Sequence, residues 1–99
     1  MEFEEHVRRA LDTLPPDLAR KLENVAVLVE EQDHQDPDLF GLFEEEPYLP
    51  AKVTIFRRPL VEEFPDPRDL EREIRITVLH ELAHFFGIDE TKLDELGYA

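Results

Sequence analysis

The stretch His80-Glu81-Leu82-Ala83-His84 concentrates the most chemistry in this chain. Histidines four residues apart share one face of a helix, so both imidazoles can grip a single zinc ion. Glu81 stands beside them as a general base for a water that the metal activates. Gly87 follows His84 by three residues and Glu90 follows Gly87 by three, so the full string is H-E-x-x-H-x-x-G-x-x-E. A chain that reverses at Gly87 can return an acidic third ligand to the metal. Asp89, Glu90 and Asp94 all follow the turn; Glu90 has the preferred offset, and Asp89 is better suited to capping a final helix. The chain has no cysteine, so thiolate ligands are excluded and any transition metal must be held by His, Asp or Glu.

These residues need a rigid carrier. Projected at about 100° per residue, Glu73, Thr77, His80, Glu81 and His84 fall on one stripe, and Ile74, Ile76, Val78, Leu79, Leu82, Ala83, Phe85 and Phe86 cover the rest. Such a helix belongs in the interior, where polar groups need a compensating partner. The plainer alternative is two water-exposed histidines and a solvated glutamate. Asp66-Pro67-Arg68-Asp69 is a strong helix start, and Gly87 stops the helix after Phe86. Glu90 to Leu96 reads as a last helical segment ending at Gly97.

The preceding segments must form the scaffold. Phe3, Val7, Ala10, Leu11 and Leu14 repeat at helical spacing, and Pro15 and Pro16 end that helix; a short second helix fits residues 15–22. Val25 to Val29 is an apolar, β-branched run that reads as a buried strand. Glu30 to Asp38 is an acidic loop, Leu39 to Phe43 an edge-like strand, and Lys52 to Arg58 a third strand stopped by Pro59. Helix, helix, three strands, helix is an α+β order.

Residues 1–99 fit one small domain. Against 11 Lys and Arg stand 25 Asp and Glu, and the net charge of −14 disfavours nucleic acid and anionic membrane surfaces as partners. A peptide or protein partner, with basic peptides favoured, fits better. Glu44 to Glu46 could steer such a peptide, although a solvated turn is the simpler reading. The N-terminus lacks the basic start and apolar run of a signal peptide, no segment reaches membrane-spanning length, and cysteine is absent, so a cytoplasmic location is expected. His6 and His34 have no partners at ligand spacing and are read as exposed. Glu73 and Asp94 could accept a hydrogen bond from a zinc-bound ring, and Tyr98 could donate to a developing oxyanion, but each is more simply a surface or packing group.

His80 to Glu90, followed by Leu93-Asp94-Glu95-Leu96-Gly97, resembles the small bacterial zincin-like metallopeptidase family. Asn24 to Glu31, Leu39 to Phe43 and Ile55 to Pro59 resemble that family's strands, so most of the chain is covered. The resemblance implies a minimal zincin fold: a short mixed sheet packed on an active-site helix, with additional N-terminal helices and zinc between that helix and the reversed tail. It also implies zinc-dependent hydrolysis of peptide bonds, with His80, His84 and Glu90 as ligands and Glu81 as base. The glycine turn is similar to that of metzincins, which usually place His or Asp where this chain has Glu90. Their methionine turn has no counterpart, since Met1 is the only methionine. Ninety-nine residues are expected to leave no room for a propeptide or a large substrate domain, so narrow specificity, low activity or regulation by a partner is expected. A competing expectation is a non-catalytic, metal-stabilised binding module whose site a fourth ligand such as Asp94 would close.

Overall fold

Three strands in the middle of the chain supply a platform for one long helix. The computed structural model describes residues 2–87 and 90–95, apart from the side chains at 90, 92 and 93. In chain order the elements are α1 (Phe3–Asp12), α2 (Pro16–Lys21), a 3-10 turn (Leu22–Asn24), β1 (Val25–Glu30), β2 (Gly41–Glu44), β3 (Ala51–Phe56), α3 (Arg57–Glu63), α4 (Pro67–Phe86) and α5 (Glu90–Glu95). The expected α+β class holds, and the sheet is mixed: β3 lies in the centre, β1 pairs with it in parallel and β2 antiparallel.

The centre of the sheet is dry because β3 is covered on both sides. Val53 and Ile55 are fully buried and pack with Ile74, Val78 and Leu82 of α4. β1 was expected to be buried throughout, but it is an edge strand. Val25, Val27 and Val29 pack toward the core, while Ala26, Leu28 and Glu30 are exposed, the alternation of a strand with one covered face. β2 is the opposite edge, as its sequence suggested.

The third strand ends sooner than expected. It stops at Phe56, and Arg57 opens α3 with Pro59 inside its first turn. A first-turn proline removes an N–H that would have no partner within the helix, so Pro59 fits a helix start as well as a strand stop. The Arg58 N–H at this start donates to the Glu31 carbonyl at 2.9 Å. The Arg57 guanidinium also donates to the Glu31 carboxylate, which holds that carboxyl below its ordinary range and ties α3 to the end of β1.

Helix α4 carries the motif. Asp66 caps it by accepting from the Arg68 and Asp69 N–H groups at 2.8 and 3.4 Å, and Gly87 ends it at φ 68°. Leu70, Ile74, Val78 and Leu82 enter the core shared by the sheet, α1 and α3, and Leu79 and Ala83 pack on Leu14 and Leu18. Contrary to expectation, α4 is not enclosed around its girth: His80 and His84 are exposed, and Phe85 retains 40% of its surface. Among the described residues the sheet and the other helices cover only part of α4.

Helix α1 packs on α4 through Phe3, Val7 and Ala10. His6, expected to be exposed, is buried in this contact, and its Nδ1 shares a hydrogen bond with Glu71 of α4. The partner is 65 residues away, which is why local spacing did not reveal it. Among the described residues no helix is long and apolar enough to cross a membrane.

Candidate functional site

The outer edge of β2 and the polar stripe of α4 meet along a shared line. The Phe56 N–H donates to the Phe40 carbonyl at 2.9 Å, so Phe40 and Phe56 form a hydrogen-bonded pair. Antiparallel pairing alternates, so Leu42 turns its backbone to Thr54 of β3, and Gly41 and Phe43 turn theirs outward. There the Phe43 N–H donates to Glu81 Oε2 at 3.2 Å. The candidate base is thus held by the backbone of the edge strand.

Glu81 is half-buried, and that burial raises its carboxyl pKa above the ordinary value. The Phe43 hydrogen bond and the neighbouring His84 and His80 oppose the rise by favouring the carboxylate. A carboxyl raised in this way sits nearer to the operating range of a general acid and base.

Gly41 allows the close approach. A Cβ at that position would meet Thr77 Cγ2 at 2.6 Å and the Thr54 carbonyl oxygen at 3.3 Å, with Glu81 Cγ at 3.7 Å. Further along the same side, the Phe43 ring stacks on Phe85 with centroids 4.7 Å apart. The sequence placed Thr77 on the motif stripe and Leu39 to Phe43 on a sheet edge, but not the Gly41–Thr77 contact or the Phe43 hydrogen bond to Glu81. The signal for Gly41 was present, because a single glycine within an apolar strand run marks a place where another element comes close.

A cleft of about 350 Å³ opens beside the edge strand, lined by Asp36, Asp38, Gly41, Glu73, His80 and Glu81 among others. Glu73 is partly buried there, whereas Asp94, His34 and the Glu44–Glu46 turn are exposed.

His80 and His84 lie one turn apart on the exposed side of α4, a donor pair that suits zinc in both chemistry and spacing. No three His, Asp or Glu side chains among the described residues form a group that could hold a metal ion. Glu90 opens α5 directly after the Gly87 turn, and its side chain lies outside the described set, as do Asp89 and Tyr98 entirely. The two histidines present therefore fit zinc as a donor pair.

A family model described as zincin-like metallopeptidase matches residues 22–98, from the 3-10 turn through the motif helix and beyond. No curated protein matches the chain.

Proposed function

We propose that this chain, which belongs to the zincin-like metallopeptidase family, hydrolyses peptide bonds with His80, His84 and Glu90 as zinc ligands and Glu81 as general base. The observation that carries the reading is the half-buried Glu81 carboxylate, held by the Phe43 N–H beside two exposed imidazoles on the same helix. Zinc, when bound, would supply a Lewis acid that acidifies water and polarises the scissile carbonyl.

The protein's own groups would do the rest. His80 and His84 present ring nitrogens from one helical face, and Gly87 reverses the chain so that Glu90 can follow. Glu81 Oε2 is anchored on Phe43, so its carboxylate has a defined place from which to take a proton from water and later return it to the leaving amine. Burial favours the first half of that cycle, since a carboxyl with a raised pKa takes up a proton more readily.

The outward-facing backbone of β2 suits an extended peptide added as a further strand. Phe43, whose N–H is held by Glu81, would offer its C=O to that peptide. Asp36, Asp38 and Glu73 line the adjoining cleft, which supports a preference for basic side chains.

The test is Glu81→Gln assayed on a mixed peptide library with zinc present. Retention of zinc with loss of cleavage supports the assignment. Undiminished cleavage rules out Glu81 as the base, and cleavage absent from wild type as well leaves the non-catalytic module as the better reading.

A further inference from the structure

Glu81 belongs to α4 and the group that holds it belongs to β2, so the distance between those two elements decides whether the carboxylate is held at all. They come close at Gly41, where an added methyl would lie 2.6 Å from Thr77 Cγ2. Real Cβ atoms do not sit that close to carbon, so any side chain at position 41 must move the strand, the helix or the threonine. Thr77 is buried and part of α4, so it has little freedom to turn aside. The strand is the element able to move, because β2 is an edge with one paired side. Phe43 is two residues further along the same outward-facing side, and its N–H already spans 3.2 Å to Glu81. A shift of the strand by a few tenths of an ångström takes that bond past effective hydrogen-bonding distance.

We propose that Gly41 is a positioning residue for Glu81: its missing side chain lets β2 approach α4 closely enough for the Phe43 N–H to hold the carboxylate. The inference rests on the reading of Glu81 as the base, but the placement itself can be measured without any turnover. Gly41 has a negative or extended φ, so its requirement comes from space, not from backbone conformation. A strain at position 41 should therefore be relieved by removing the atom it strikes, which a requirement for glycine flexibility would not permit.

The experiment compares wild type, Gly41→Ala, and the double variant Gly41→Ala with Thr77→Ser, which removes Cγ2. Two quantities are read: amide hydrogen exchange of Phe43 by NMR, and kcat and KM on a mixed fluorogenic peptide library. Gly41→Ala is expected to speed Phe43 exchange about tenfold and to lower kcat by about tenfold with little change in KM. The double variant is expected to return both to within about threefold of wild type. Should Gly41→Ala fail to fold, Glu81→Ala gives an independent reading, because loss of the carboxylate must also speed Phe43 exchange. Unchanged Phe43 exchange in Glu81→Ala, or a folded double variant that shows no recovery, overturns the proposal. If exchange follows the expected pattern while no variant, wild type included, cleaves any peptide, the positioning role stands and the peptidase reading falls.

Discussion

The Phe43 N–H reaches the Glu81 carboxylate at 3.2 Å across 38 residues of sequence, so the edge strand β2 holds the candidate base of α4. Burial raises the Glu81 pKa, so the protonated carboxyl is favoured more in the folded protein than in the unfolded chain. The stability linked to this group is fully present below the ordinary glutamate value and is lost as pH rises through the raised one. Glu81→Gln removes a charge that the fold disfavours and keeps an acceptor for Phe43. The metal-free variant should therefore melt above wild type at neutral pH, with the gap closing in acid. Calorimetry over a pH series checks this, and a gap that widens toward acid would contradict it. Catalysis should move the other way, falling about 10²- to 10⁴-fold with loss of the base.

Gly87 adopts φ 68°, and a Cβ there would meet nothing within 4 Å. The cost of Gly87→Ala is thus conformational, about 1–2 kcal/mol for a left-handed residue with a side chain. Because α5 and Glu90 follow this turn, zinc affinity measured by calorimetric titration should fall along with stability. A variant that loses stability but binds zinc unchanged would separate Glu90 from the ligand set.

What the sequence disclosed follows from how local each signal is. The start of α4 at Asp66-Pro67 and its end at Gly87 were legible, because capping depends on residues within one turn. The polar stripe was legible from periodicity, but its exposure was not, since burial depends on how many elements surround the helix. The α3 start was obscured because Pro59 serves equally as a strand stop and a first-turn helix residue. His6 was misjudged for lack of any local clue to Glu71. Gly41 and Thr77 meet only when β2 is laid on α4, so the closeness of that contact is a property of the fold.

Ile74 is fully buried at the contact between α4 and the sheet. Ile74→Ala should cost about 2–5 kcal/mol through lost burial and the cavity left behind. Urea denaturation reads the change directly. A loss well under 1 kcal/mol would mean that α4 is not packed on the sheet as described.

His6 and Glu71 join α1 to α4. His6→Ala takes the hydrogen-bond partner from a partly buried carboxylate that also has Arg9 at 3.9 Å, and should cost about 1–3 kcal/mol. Replacing Glu71 in the same background should add little, because the two side chains act as one unit. Additive losses in a double-mutant cycle would show that they do not interact.

Metal content decides whether His80 and His84 form a zinc site. Freshly purified protein of known concentration should carry close to one zinc per chain, and His80→Ala and His84→Ala should each abolish stoichiometric binding while retaining a folded far-UV spectrum. Wild-type protein without stoichiometric metal after exposure to zinc, or histidine variants that keep it in full, would contradict the account.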